Sequence, residues 1–156
     1  PVVVVGAGGA ARAVGVGLVE AGGLETRILR RTRARAEVLA GQLGPNCRAL
    51  DWNDRDKALG GVALLVNTSS LGMAGQPPLD LALDALPKDA VVNDIVYVPL
   101  ETPLLAAARQ RGLAAVDGLG MLLHQAAPGF ERWFGHKPEV TPELRAMIVA
   151  DIEGGA

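Results

Sequence analysis

The chain has 156 residues, 17 acidic against 15 basic side chains, a net charge of −2 and 49% hydrophobic residues. That length reads as one domain with enough apolar material for a sizeable core, and the slight acidity argues against a nucleic-acid surface. No apolar run approaches the roughly 20 residues of a membrane-spanning helix, and the lone cysteine, Cys47, excludes an internal disulfide and a cysteine metal cluster.

Val2 to Val5 form an unbroken apolar run, as expected of a strand covered on both faces in a parallel sheet. Gly6-x-Gly8-x-x-Ala11 follows it and matches the G-x-G-x-x-G/A pattern. Gly6 permits a tight turn, Gly8 lets a pyrophosphate approach the backbone, and Ala11 lets the next helix pack close. That helix, predicted near 9–21, aims its free amides and positive dipole end at the phosphates. A glycine turn alone also serves simple helix packing. Here a strand precedes it and a helix follows within a unit of about thirty residues, which favours a bound dinucleotide. Gly15 and Gly17 within the helix are read as close packing against a neighbouring strand.

The second strand, near 26–29, ends in Arg30-Arg31-Thr32, with Arg33 and Arg35 close behind. An enzyme using unphosphorylated NAD would place a carboxylate here for the ribose hydroxyl. Guanidinium groups instead bind a 2′-phosphate through charge-assisted bonds worth about 1.5–3 kcal/mol each. Basic residues are unfavourable at a helix start, so a bound anion accounts for them better than a solvated helix end does. The cofactor expected is NADP(H).

Further strands are predicted near 47–50, 62–66, 90–96 and 114–116. Helices are predicted near 33–43, 53–60, 102–111, 119–134 and 142–152. The alternation implies a doubly wound α/β domain, a Rossmann-like parallel sheet of about six strands with helices on both faces. Thr102-Pro103 and Thr141-Pro142 read as N-caps followed by a proline at the first helical position. Pro128 is expected to kink or split its helix. Cys47 is expected to be inert core. Ligands in such sheets lie beyond the carboxyl ends of the strands. Three small or polar segments fall there: Asn67 to Met73, Asn93 to Pro99 and Asp117 to Met121.

Taken together, Gly6-Ala7-Gly8-Gly9-Ala10-Ala11-Arg12, Arg31-Thr32-x-x-Arg35, Val66-Asn67-Thr68-Ser69-x-x-Gly72-Met73, Asp94-x-x-Tyr97-x-Pro99 and Asp117-Gly118-x-x-Met121-Leu122-x-x-Gln125-Ala126 resemble the C-terminal, NADP-binding domain of the shikimate dehydrogenase family. The resemblance covers nearly the whole chain. It implies NADPH-dependent reduction of 3-dehydroshikimate to shikimate, in aromatic amino-acid biosynthesis. It implies that Gly8, Gly9 and Ala10, after the cofactor-binding turn at Gly6, hold the pyrophosphate, and that Arg31, Thr32 and Arg35 hold the 2′-phosphate, joined here by Arg30 where the family often has Asn. Asn67, Thr68 and Ser69 would wall the cofactor. Ile95, Gly118 and Met121 would border the nicotinamide, and Tyr97 and Gln125 would reach shikimate across an interdomain cleft. Positions 118, 121, 122 and 125 share one helix face; core packing explains the same face, as a core aromatic explains Tyr97.

The family's catalytic Lys and Asp belong to an N-terminal substrate domain with no counterpart here. Lys57, Lys88 and Lys137 fall in no matching motif. His124 and His136 have no partner at metal-ligand spacing, so no metal site is expected. Asp94 is read as bonding nearby backbone rather than acting as a base. Because Pro1 stands directly before a core strand, the chain is expected to be a single domain, 1–156, of a longer cytoplasmic enzyme, with the N-terminal domain as its partner. The last helix, 141–153, carries Leu144, Ile148 and Ile152 on one stripe. It is expected to return toward that absent domain, leaving an apolar face for a homodimer. The rival readings are a quinate/shikimate dehydrogenase, another two-domain NADP enzyme such as a glutamyl-tRNA reductase, and a non-catalytic NADP sensor.

Overall fold

The computed structural model describes residues 1–154. In chain order it contains β1 (Val2–Val5), α1 (Gly9–Glu20), β2 (Thr26–Leu29), α2 (Arg33–Leu43), β3 (Cys47–Leu50), β4 (Leu64–Asn67), β5 (Val91–Asp94), α3 (Pro103–Gln110), β6 (Ala114–Val116), α4 (Leu119–Phe134) and α5 (Pro142–Gly154). The strands form one six-stranded sheet in the order β3-β2-β1-β4-β5-β6. Each of the five pairings is parallel. β1 is central, with Val2 opposite Thr26 on one side and Leu64 on the other. The doubly wound Rossmann arrangement expected from the alternation is therefore present. No helix among the described residues is long and apolar enough to cross a membrane.

Strand geometry sends alternate side chains to opposite faces, and β1 uses both. Val3 and Val5 join Leu59, Leu65, Val92, Leu104 and Leu105 in one buried cluster beneath α3 and the turns after β3. Val2 and Val4 join Ala11, Ile28, Ala36, Leu39 and Val66 in a second cluster beneath α1 and α2. Two apolar faces explain why this strand reads as four valines rather than as an alternation. Cys47, half-buried, packs at the margin of the second cluster. Both proposed N-caps form. The Thr102 hydroxyl accepts from Leu105 N at 3.3 Å with Pro103 at the first helical position, and the Thr141 hydroxyl accepts from Leu144 N at 3.2 Å.

Several local expectations need correction. The segment 53–60 is two short 3₁₀ turns, Trp52–Asp54 and Lys57–Leu59, and not an α-helix. Asp51 accepts from Asn53 N at 2.9 Å, an Asx turn that competes with helix propagation, and Gly60-Gly61 ends the segment. The fourth and fifth strands run 64–67 and 91–94, narrower or shifted from 62–66 and 90–96. Of the kink or split expected at Pro128, the split is absent: α4 is continuous from 119 to 134. Pro128 and His124, the residue that loses its helical donor, are both exposed, where water can meet the freed carbonyl. Gly15 packs on the Leu43 side chain of α2 rather than on a strand, and nothing crowds Gly17.

One buried network fixes the loop-bearing edge of the sheet. Asp94, at the end of β5, has no exposed surface. Its Oδ1 accepts from Asn67 Nδ2 at 2.9 Å and from Val96 N at 3.1 Å, and its Oδ2 accepts from the Thr102 hydroxyl at 2.7 Å. Asn67 also donates to the Leu71 carbonyl at 3.1 Å, while its Oδ1 accepts from Ser69 N and Oγ at 3.0 and 2.7 Å. β4, β5, α3 and two loops thus meet on two side chains. At the end of β6, Gly118 lies against the Ile95 and Val96 carbonyls, and any Cβ would fall on backbone. Asp117 accepts from Leu119 N at 3.0 Å and pairs with Arg145 of α5 at 2.6 Å.

Burial pushes the Asp94 carboxyl above the ordinary carboxylate range, against the downward pull of its bonds from Thr102, Val96 and Asn67. A raised folded-state pKa means that this group's contribution is most favourable below the unfolded value of about 3.9 and is lost as pH rises through the raised value. Asp94→Asn is expected to flatten that part of the stability–pH curve, as read by urea unfolding at several acidic pH values. Asp94→Ala orphans three donors and is expected to cost at least about 3 kcal/mol in the same assay. Gly118→Ala, with backbone as its obstacle, is expected to lose roughly 2 kcal/mol, measured by thermal or urea unfolding.

Candidate functional site

Because all strands are parallel, their carboxyl ends lie on one edge, and a cavity of about 490 Å³ opens there. Its floor is the Val5–Gly8 turn after β1, one side is Leu29 to Thr32 after β2, and the other is Thr68 to Leu71 after β4. Gly6 sits at φ +121°, and a Cβ on it would lie 2.5 Å from the Thr68 hydroxyl oxygen. That hydroxyl donates to the Val5 carbonyl at 2.7 Å. The turn therefore needs glycine for conformation and for space. Gly8 and Gly9 have nothing within 4 Å of a built Cβ, so their backbone is open to a ligand. In α1 the bond from Arg12 N to Gly8 O, 3.1 Å, closes the first turn. The amides of Gly9, Ala10 and Ala11 precede it at the helix mouth, where an anion is favoured.

The second helix repeats the pattern. α2 starts at Thr32, whose hydroxyl makes no capping bond, and α1 starts at Gly8, which has no side chain to cap with; neither first turn holds an acidic residue. Arg30, Arg31 and Thr32 line the cavity. Among the described residues the paired arginines are Arg27, Arg33, Arg48, Arg55, Arg109 and Arg145. Arg30 and Arg31 are not among them. Arg33 is occupied by Glu37, one turn on, at 2.8 Å. Arg35 lines a separate groove of about 270 Å³ with Arg12, Ala7 and Val38, between α1 and α2. The structure thus brings Arg30, Arg31 and Thr32 together and sets Arg35 one helical turn away.

On the other side the candidates divide. Thr68 and Ser69 line the cavity, but the Asn67 side chain is buried and spent on the Asp94 network. Asp94 bonds backbone at Val96, as expected, and two side chains besides, and it is not in contact with the cavity. Ile95 and Gly118 meet at the β6–α4 turn. Ile95, Tyr97 and Met121 are half-buried. Gln125 is exposed and faces a different hollow, of about 540 Å³, between α4 and residues 138–144, where Leu144 also lies. Ile152, from the same α5 stripe, lines a further hollow with Val98 to Glu101. The more exposed large apolar side chains near the C-terminus are Phe130, Trp133, Phe134 and Met147.

Three residues that line this cavity, Trp52, Gln76 and Pro77, fall in none of the segments that sequence reasoning singled out. Trp52 follows β3, a strand end that the parallel topology puts on the same edge, and that was the available signal. Gln76 and Pro77 sit in an irregular loop whose path no local pattern reveals.

The description "Shikimate 5′-dehydrogenase C-terminal domain" matches residues 118–147. The shikimate dehydrogenase (NADP(+)) of Methylobacterium radiotolerans is 65% identical over 97% of this chain and 54% of its own length. That of Methylocella silvestris is 60% identical over the same shares. Among solved structures, shikimate 5-dehydrogenase from Thermus thermophilus in complex with NADP(H) and shikimate superposes with a TM-score of 0.79 at 33% identity, covering 100% of this chain and 55% of that one. Quinate dehydrogenase from Corynebacterium glutamicum in complex with NAD gives 0.86 at 32% identity, covering 96% and 54%. The chain spans about half the length of the curated relatives it matches. Identity of 65% across 97% of the chain, with the fold shared at a TM-score of 0.79, leads to one conclusion: the chain belongs to the shikimate dehydrogenase family.

Proposed function

We propose that this chain is the NADP(H)-binding half of a shikimate dehydrogenase, and that the whole enzyme reduces 3-dehydroshikimate reversibly to shikimate. The observation that carries the cofactor reading is the pair of uncapped helix starts, α1 and α2, opening on one cavity beside Arg30 and Arg31. A dinucleotide with an added phosphate presents negative groups at both places. The residues fit it: Gly6 and Gly8 leave the room, the Gly9 and Ala10 amides take the pyrophosphate, and Arg30, Arg31 and Thr32 take the 2′-phosphate. Arg35 supports that end from the adjoining groove through its charge.

When bound, the cofactor supplies a hydride. Ile95, Gly118 and Met121 border the end of the cleft at which this happens, and Gly118 keeps the β6–α4 turn close under Ile95. Tyr97 and Gln125 are assigned to the substrate side. Reducing a ketone also requires an acid for the developing alkoxide. Lys57, Lys88 and Lys137 are exposed, and Lys57 lies 3.7 Å from Asp54. The proposal therefore assigns the proton donor to the part of the enzyme that this chain does not span, and α5 to the junction with it.

The likeness to an NAD-bound quinate dehydrogenase raises a second reading, NAD-linked oxidation of quinate. Arg30 and Arg31 oppose it, since they stand where an NAD enzyme carries a carboxylate. Assaying the longer enzyme with shikimate and quinate, each with NADP⁺ and NAD⁺, is expected to favour shikimate with NADP⁺; dominant quinate turnover with NAD⁺ would reverse the assignment.

Calorimetric titration of the chain is expected to show NADPH binding at least about tenfold tighter than NADH, or roughly 1.4 kcal/mol, with the gap narrowing at high salt. Arg31→Ala is expected to shrink the gap without changing the stability of the fold. Equal affinities would refute the phosphate assignment. The chain alone is expected to bind NADPH yet reduce no NADP⁺ when given shikimate, followed at the absorbance of the reduced cofactor.

A further inference from the structure

Trp52 has no part in the roles assigned above, yet it is built into the cavity. It follows β3, is half-buried, and lines the same space as Arg30, Arg31 and Thr32. It also packs against the core cluster that contains Val3, Val5 and Leu29. The Arg55 guanidinium lies over its ring, 5.3 Å from the centroid, within cation–π range. Arg55 is fixed in turn: Nη2 donates to Asp80 Oδ2 at 2.7 Å, Nε to the Asp80 carbonyl at 2.9 Å, and Nη1 to the Trp52 carbonyl at 3.2 Å. The indole is therefore held by the core cluster and by Arg55, and is not a side chain free to swing away.

We propose that Trp52 packs against the adenine ring of the bound dinucleotide and sets affinity for that end of it, with Arg55 and Asp80 as positioning residues. This rests on the nucleotide reading above and adds to it a residue that the glycine turn and the arginines do not supply. The chemistry is that of a flat aromatic surface beside a cationic phosphate pocket. A purine attached to a phosphorylated ribose matches both parts at once. Aromatic stacking is indifferent to the nicotinamide end and to the 2′-phosphate, so it predicts a different signature from the arginines.

The test uses the chain with Trp133→Phe, which leaves Trp52 as its single tryptophan; Trp133 is 80% exposed, so its replacement is benign. Adenosine 2′,5′-bisphosphate is the probe, because it has the adenine and the 2′-phosphate but no nicotinamide to quench by energy transfer. Its binding is expected to change Trp52 emission with the dissociation constant found by calorimetry. Trp52→Leu is expected to weaken this probe and NADPH alike by about tenfold while leaving the NADPH-to-NADH preference unchanged. Trp52→Phe is expected to restore most of the loss. Calorimetric binding with unmoved Trp52 emission, or a Leu variant that binds as tightly as the parent, overturns the role of Trp52 and leaves the nucleotide reading standing. A parent chain that binds neither probe nor NADPH overturns both.

Discussion

The carboxylate of Asp94 is the point on which the working edge of this sheet depends. It reaches β4 through Asn67, its own loop through the Val96 amide, and the start of α3 through Thr102. An isolated buried charge is costly, and it persists only where its acceptor capacity is used. Asn67, held by Asp94, shapes the loop after β4 through Ser69 and Leu71. The next residue, Thr68, bonds back to β1 at Val5 and fills the space that a side chain on Gly6 would need. The glycine turn and the carboxylate are in this way two ends of one chain of contacts. The fit of the cleft is governed from a residue that does not line it.

The cleft itself is electrostatically unfinished. Neither α1 nor α2 has a capping side chain or an acidic first turn, although such devices commonly stabilise a helix by about 1 kcal/mol. Elsewhere the same chain caps normally: Thr102 and Thr141 serve α3 and α5. The contrast is informative because it is local. The starts of α3 and α5 each use a threonine, and that of α4 uses Asp117, which accepts from Leu119 N, whereas those of α1 and α2 are left open beside cationic side chains. Arg33 shows the same economy in reverse, since its charge is absorbed by Glu37 and takes no part.

Much of this was legible beforehand, for identifiable reasons. The four valines signalled a doubly covered strand because both faces of β1 are buried, and Arg30-Arg31-Thr32 stood at a strand end, where topology leaves little freedom. What escaped depends on the third dimension. Arg35 belongs to the same short motif as Arg31, yet one helical turn carries it into another groove. Gln125 shares a helix face with Gly118 and Met121, but along α4 that face passes from the β6 turn to the hollow under residues 138–144. Gly15 is a packing residue, as its place in the helix suggests, but its partner is Leu43 of α2 and not a strand, since periodicity says that a face is covered without saying by what. Around 53–60 a run with helical spacing yielded to the Asp51 turn, a local side-chain bond that outcompetes the backbone ladder.

The seam between β1 and β4 has a kinetic consequence. Its register joins Val2 to Leu64, a separation of 62 residues, whereas β1 and β2 join Val2 to Thr26, a separation of 24. The N-terminal βαβαβ half is therefore assembled from near neighbours, and β4 must find β1 across all of it before β5 and β6 have an edge to extend. Loop closure of this kind slows folding more than it lowers stability. Until the seam forms, the unpaired backbone N–H and C=O groups along that edge of β1 stand open to other chains. The strand that later forms the floor of the cofactor cleft is thus also the one that most needs protection during synthesis.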